Sequence, residues 1–436
     1  DKVFRLGEII AGYCLALDLS TMSAMANGTF VKAHERLGRN RPASILKKED
    51  ITASFVEKII RQSGGDIHID TMEVQNDFSM GDSILAEFTS RNENKFIGLM
   101  AFKMTGKHDQ SRKAVSENII VKSKPMDIEV IHLNQKMAGM SNSRLSQLIE
   151  KYKFQNESLS CHLKEIAIYS RQSPLFKKYS PRLFGIESDP KREVFIIVME
   201  QITDPVILGK ADRPHLWTRQ HIEAAISGMA ELHSIWLCKN EELLRQPWIG
   251  FVHNARSMAE QKEMFFELIK HASVEFPELM TEDIMSFDNR LIEHVESWYA
   301  EFDMMPKTLI HNDFNPRNIA LRLVDGKLTL CAFDWELATI HVPQHDLSEF
   351  LSFVITEQTS DDDIFDYIEL HRQALEKAAS VTLDPAMWRR GVELSLYDLA
   401  INRFAMYLMA HNFRDFTFLK NVISNNFRLI SCLKTK

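Results

Sequence analysis

The chain has 436 residues, of which 45% are hydrophobic and 26% charged, with a net charge of −8. That length gives two or three structural units with a sizeable core, and the acidic balance argues against a general nucleic-acid binder. Cys14, Cys161, Cys238, Cys331 and Cys432 are far apart and form no zinc or redox spacing, so reduced thiols in a cytoplasmic protein are expected.

Residues 1–40 read as helical. Residues 9–30 are fairly apolar, but Asp18 and several polar residues interrupt them. No run of 18 apolar residues occurs and the start lacks a signal-peptide pattern, so no membrane span is expected. The expectation is an amphipathic helix packed on the body. A short helix over 52–61 follows, stopped by Gly64 and Gly65. Strand-like segments come next, at 67–74, 84–89, 96–104 and 119–122, so 66–124 reads as an antiparallel sheet. Helical periodicity takes over at 142–172, and a strand at 193–199 follows the turn-forming Ser188, Asp189 and Pro190. Beyond Ile202 the chain is mostly helical, most clearly at 219–237, then at 265–271 and 288–302. Residues 308–335 break this with two short strands, and 361–436 return to helix. The predicted organisation is α+β: an extension over 1–45, a small sheet-rich lobe over 46–202, and a larger helical lobe over 203–436.

The most informative segment is 309–322, which holds His311, Asp313 and Asn318 in the order His-x-Asp-x-x-x-x-Asn. A hairpin follows. Residues 319–324 alternate, Asp325-Gly326 is a strong two-residue turn signal, and 327–333 return. The hairpin delivers Asp334 beside the end where Asn318 sits. Phosphoryl transfer needs positioning and charge neutralisation more than covalent help. Asp313 is therefore the candidate proton acceptor for an attacking hydroxyl. Asn318 and Asp334 are candidate Mg²⁺ ligands, since Mg²⁺ takes a few hard oxygens plus phosphate and water. His311, the other candidate catalytic-loop residue, suits holding the loop better than chemistry.

With these residues the sequence resembles the aminoglycoside phosphotransferase and choline kinase superfamily. Its pattern is His-Gly-Asp-x-x-x-x-Asn followed by an Asp-Trp or Asp-Phe segment. Here the match is His311-Asn312-Asp313 and Asp334-Trp335, with Asn312 in place of Gly. The segments 79–83, 164–169, 198–200 and 229–233 fall in the order of the ecdysteroid-kinase-like branch, and the similarity covers about 50–430. The resemblance implies a two-lobed protein-kinase-like fold, ATP and Mg²⁺ as cofactors, and a bracing role for Asp346, for which helix capping is the competing reading.

On the ATP side, 78–83 would cover the phosphates, with Gly81 and Ser83 in the turn. Lys122, at the end of an apolar strand, would neutralise phosphates. Lys124 lies on the same face by alternation and is its rival, expected to matter little. Glu165 is the candidate partner of Lys122, and Glu157 the alternative. The 43 residues between Lys122 and Glu165 require a helical excursion. Glu200 and Gln201 follow a buried strand whose backbone could bind adenine. His233 reads as a core histidine. Trp388, Tyr397, Phe404 and Tyr407 lie on candidate inner faces, each more simply read as core filling.

The expected function is ATP- and Mg²⁺-dependent phosphorylation of a small-molecule hydroxyl. The alternatives are a catalytically silent nucleotide-binding module, or a protein kinase or nucleotidyltransferase on the same fold. Only twelve residues separate Asp334 from Asp346, and no Ala-Pro-Glu occurs there, which leaves little room for a peptide-docking segment.

Overall fold

Alternation along two apolar strands sets up the small lobe. In the computed structural model, which describes residues 2–30, 45–75, 95–171 and 173–434, β1 (Ile67–Val74), β2 (Gly98–His108), β3 (Ala114–Ser123), β4 (Leu183–Asp189) and β5 (Val194–Glu200) form one sheet. Its order is β1-β2-β3-β5-β4, and every neighbouring pair is antiparallel. Successive side chains on a strand point to opposite faces. Ile119 and Val121 of β3, with Ile196 and Val198 of β5, pack on one face against Val56, Ile59 and Ile60 of α2 (Ala53–Gln62). Ile120, Ile197 and Met199 face the main core on the other side. Lys122 shares that second face with Ile120. Helix α2 starts at Thr52, whose hydroxyl accepts the Phe55 N–H.

Two elements of this lobe differ from the sequence reading. Strand β4 was not expected, and it contains Gly185. A Cβ there would meet the Ile59 carbonyl oxygen at 2.8 Å, so the glycine is what lets α2 lie against the strand. Between β3 and α5 (Cys161–Tyr169) the chain forms α3 (Asp127–Ser141) and α4 (Ser143–Lys151). Helix α3 escaped the periodicity test because its apolar residues are not confined to one face: Met140 is exposed while Val130, Ile131, Leu133 and Met137 are buried. The strand expected at 84–89 lies outside the described residues.

The larger lobe is built around α9 (Gln344–Val354), in which every residue is buried. Around it stand α6 (Arg219–Ser234), α7 (Lys262–Glu275), α8 (Glu282–Glu293), α10 (Asp361–Ala379), α11 (Pro385–Asp398), α12 (Ala405–His411) and α13 (Leu419–Lys434). A π-helical turn, Leu399–Phe404, joins α11 to α12. The helix expected over 288–302 is instead broken at His294, where α8 ends. Strands β7 (Thr308–Ile310) and β10 (Thr339–His341) pair antiparallel. The three-stranded sheet has the order β6 (Ile207–Leu208), β8 (Ile319–Val324), β9 (Lys327–Ala332). Asp325 and Gly326 both have positive φ, 51° and 74°, which is the turn that matches strand twist in a two-residue hairpin.

The amino-terminal helix α1 (Lys2–Ala26) overturns the first expectation. None of its residues is buried, and Phe4, Ile10, Tyr13, Leu17 and Met22 are exposed, so it does not pack on the body. By length and composition it is also long and apolar enough to cross a membrane, despite Asp18.

One buried carboxyl lies away from the site. Asp288 of α8 is 4% exposed, beside a small cavity lined by Phe287, Phe404 and Ile423. Burial pushes its carboxyl up to about 7. In the unfolded chain it titrates near the ordinary value, about 3.9. Folding thus takes up a proton between the two values. The stability this group allows is full below about 4 and is lost as pH rises through about 7. Asp288→Asn should leave stability at pH 4 nearly unchanged and raise it at pH 8 by about 4 kcal/mol. Thermal melts of both proteins across that range check this, and parallel pH profiles would refute it.

Candidate active site

The loop between β7 and β8 is held from behind by the central helix. Asp346 of α9 accepts the His311 N–H on Oδ2 at 2.7 Å and the Asn312 N–H on Oδ1 at 2.8 Å. Its Oδ2 also lies 2.9 Å from His233 Nε2, whose Nδ1 is 3.2 Å from His371 Nε2. Burial would raise the Asp346 carboxyl, but His233 and the loop N–H groups hold it below the usual range. An ionised carboxylate in the first turn of a buried helix is tolerable because these donors satisfy it. Asn312 has φ 60°, the left-handed conformation in which asparagine substitutes for glycine at low cost. His311 is fully buried. Its Nε2 bonds the Phe333 carbonyl at 2.8 Å and its ring packs on Trp335. It ties the loop to the end of the hairpin and meets no open surface, so it supports the loop rather than touching a substrate.

Four side-chain donors converge on Asp313. Oδ1 accepts from Tyr407 Oη (2.7 Å), Asn315 Nδ2 (2.8 Å) and Arg317 Nη2 (3.2 Å), and Oδ2 from Asn318 Nδ2 (2.6 Å). Burial opposes its ionisation, but Arg317 and Arg403 outweigh burial and keep the carboxyl below the usual range. Asp313 is therefore a carboxylate at neutral pH. Because the Asn318 amide nitrogen points to Asp313, its oxygen points elsewhere. The Phe333 N–H donates to the Asn318 carbonyl at 3.0 Å, which brings the end of β9 to the loop. Asp334 follows directly with φ 67°.

On the other side of Asp334 lie two lysines. Lys122 Nζ is 2.7 Å from Glu165 Oε2 and 2.7 Å from Asp334 Oδ1. Helices α3 and α4 fill the interval before Glu165. Glu157 does not take part, being paired with Arg403 at 2.7 Å. Lys124 departs from expectation. It is 2% exposed, salt-bridged to Glu336, 3.1 Å from Glu165 and 3.6 Å from Asp334. Burial works against its charge, yet Glu336, Glu165 and Asp334 hold the ammonium well above the ordinary lysine value. Its removal would leave the half-buried Glu336 without its partner, so Lys124 is not an idle surface residue. The two lysines in turn hold the Asp334 carboxyl far below the usual range, against the effect of burial. Among the described residues no hydrogen bond reaches its Oδ2. Among the described residues Asn318 Oδ1 and Asp334 Oδ2 are thus hard oxygens without hydrogen-bond partners, a donor set that fits Mg²⁺.

An apolar slot opens beside Lys122 and Asp334, lined by Leu99, Ile120, Met199, Ile202 and Phe333. Glu200 borders it, but its carboxylate binds Arg322 at 2.5 Å and its N–H is taken by the Arg182 carbonyl. The Gln201 N–H is likewise taken, by Asn118. Both N–H groups are therefore engaged within the protein. Gly81 and Ser83 lie outside the described residues.

A second cavity, about 250 Å³, opens on the Tyr407 side of Asp313. Glu157, Asn402, Arg403, Met406, Tyr407 and Glu336 are among its lining residues. The π-helical turn before α12 places Asn402 and Arg403 there, as such turns often do at functional sites. Of the four aromatic residues singled out in the carboxy-terminal helices, Trp388, Tyr397 and Phe404 are buried in the core, and only Tyr407 reaches the site. Tyr407, Arg317, Asn315, Arg403 and Glu349 were not read as site residues. Asn315 and Arg317 were within reach, lying inside the loop motif. Glu349 carried one signal, a charge set among Leu347, Phe350, Leu351 and Phe353.

Fold and site together define a phosphotransferase of the protein-kinase-like fold. Residues 165–379 match the sequence profile of the phosphotransferase enzyme family, in keeping with the motifs that resemble the aminoglycoside phosphotransferase and choline kinase superfamily. Residues 1–39, outside both lobes, match the profile of hydroxymethylglutaryl-coenzyme A reductase. No curated protein matches the chain by sequence. Among solved structures it is similar to choline kinase from Cryptosporidium parvum, at 13% identity over 88% of this chain and 95% of that one, with a TM-score of 0.46. It is also similar to Plasmodium vivax ethanolamine kinase, at 12% identity over 83% and 82%, with a TM-score of 0.41. For aminoglycoside 2′-phosphotransferase-IIIa, in its GDP complex, the values are 14%, 88% and 98%, with a TM-score of 0.40.

Proposed function

We propose that this protein transfers the γ-phosphoryl group of ATP, with Mg²⁺, to a hydroxyl of a small molecule, and that it acts in the cytoplasm. The observation that carries the reading is the meeting of Asp313, Asn318 and Asp334 beside the Lys122–Glu165 pair. Adenine would enter the apolar slot. Lys122 would move from Asp334 to the phosphates while keeping Glu165. Mg²⁺, when held by Asn318 and Asp334, would neutralise phosphate charge. Asp313 would orient the acceptor hydroxyl and take its proton. Within the superfamily, the order of the sequence motifs favours the ecdysteroid-kinase-like branch.

Two features favour a small acceptor. The twelve residues after Asp334 are spent on β10, which pairs with β7, and on the start of α9, so no peptide platform is formed there. The charged groups of the acceptor-side cavity are also already paired, Glu157 with Arg403 and Glu336 with Lys124. A cavity with no unpaired carboxylate favours an uncharged alcohol over a cationic amine. The five cysteines are unpaired, which suits a reducing compartment. Incubation with labelled ATP, Mg²⁺ and a library of hydroxyl compounds, read by mass spectrometry, should yield a phosphate ester of an uncharged alcohol. Generic protein substrates should stay unlabelled. Asp313-dependent labelling of a protein at Ser, Thr or Tyr would overturn the proposal.

A further inference from the structure

Three donors crowd one oxygen of Asp313, and one of them comes from outside the loop. Asn315 and Arg317 belong to the loop itself. Tyr407 arrives from α12, 94 residues further on, with its hydroxyl 2.7 Å from the same Oδ1. The other oxygen, Oδ2, faces the Asn318 amide at 2.6 Å, on the side of the candidate metal ligands. Oδ1 is therefore the acceptor-side oxygen, and Tyr407 lines the acceptor-side cavity. A hydroxyl entering from that cavity needs a lone pair of Oδ1 in line with its O–H. An oxygen that already accepts three hydrogen bonds has none to offer.

Glu349 supplies the alternative partner. It is fully buried on α9. Its Oε1 lies 3.5 Å from the Tyr407 hydroxyl and 3.1 Å from Asn315 Nδ2, while its Oε2 is buried without any hydrogen bond. A carboxyl left half unused at the centre of the lobe is costly unless something comes to it. The Tyr407 oxygen accepts from Arg317 Nη2 at 2.7 Å, which leaves its own proton for one carboxylate at a time.

We infer that Tyr407 is a gate on Asp313: its hydroxyl caps Oδ1 while the acceptor site is empty, and swings to Glu349 when the acceptor hydroxyl takes its place. The inference rests on the phosphotransfer reading of the site. Burial, with Asp313 nearby, pushes the Glu349 carboxyl up to about 7. In the resting state Asp313 holds the shorter bond, 2.7 Å against 3.5 Å to Glu349. The gate also has a use when no acceptor is present. Water is then the available nucleophile. Its oxygen would bond to the γ-phosphorus as the bond to the ADP oxygen breaks, and its proton would go to Asp313. Capping Oδ1 suppresses that wasteful hydrolysis.

Acceptor-free ADP release from Mg·ATP, with water as the probe, tests the gate. Tyr407→Phe keeps the ring and removes the cap, so release should rise about tenfold, the worth of one charge-assisted hydrogen bond. Glu349→Leu removes the second resting place, and release should fall several-fold; Glu349→Gln keeps an acceptor oxygen and should restore it. In the Tyr407→Phe background Glu349→Leu should have no further effect. The two Glu349 variants test the gate even if Tyr407→Phe does not fold. Release from Tyr407→Phe at or below the wild-type rate, with nucleotide binding intact by calorimetry, overturns the gate and leaves the phosphotransfer reading standing. An equal loss from Glu349→Leu in both backgrounds reflects packing alone and also overturns it. A wild-type protein that neither binds nor hydrolyses Mg·ATP overturns both readings.

Discussion

Asp313→Asn should lower phosphoryl transfer by about two to four orders of magnitude, the usual cost of losing a positioned base. The replacement has the same shape, so the loop keeps its anchors, the two N–H bonds to Asp346. What it loses is an anion at the convergence of Tyr407, Asn315, Arg317 and Asn318, four donors that all require an acceptor. An amide meets them with one acceptor oxygen and an NH₂ group, and it cannot take a proton from the acceptor. ATP binding should persist, because Lys122, Glu165 and the apolar slot are untouched. Turnover of the acceptor found in the library screen, with calorimetry for ATP, checks both halves. More than about a tenth of wild-type turnover in the variant would remove Asp313 from the role of base.

Asp334→Ala should act on binding instead. Asp334 is the strongest anion at the nucleotide end of the site, kept ionised by Lys122 and Lys124. Its loss should weaken Mg²⁺-dependent nucleotide binding by about 100-fold or more, since even outer partners of a metal site are worth 10–100-fold. Nucleotide binding without Mg²⁺ should change far less, because the two lysines are then freer to meet phosphate. Asn318→Ala should show the same pattern more weakly, the ligand being neutral. Titrations with and without Mg²⁺ separate the cases. An unchanged metal dependence in Asp334→Ala would sink its assignment as a ligand.

Sequence by itself determined what is encoded over short distances. The order of His311, Asp313 and Asn318 is local. So is the Asp325-Gly326 turn, whose positive φ values force the chain back and carry Asp334 to the loop. Alternation along β3 determined that Lys122 and Lys124 share a face. Whether those lysines would be solvated or buried was beyond alternation, because their partners are remote: Lys122 and Asp334 are 212 residues apart. Only packing decided that Lys124 is an enclosed cation, that Glu157 belongs to Arg403, and that Tyr407 leaves the core to reach Asp313. Only packing decided, too, that α1 buries nothing, since an apolar helix is legible in sequence while the surface it would cover is not. The physical reason is common to all of these. Turn chemistry and alternation act between near neighbours, whereas desolvation and charge pairing depend on which distant elements exclude water from a site.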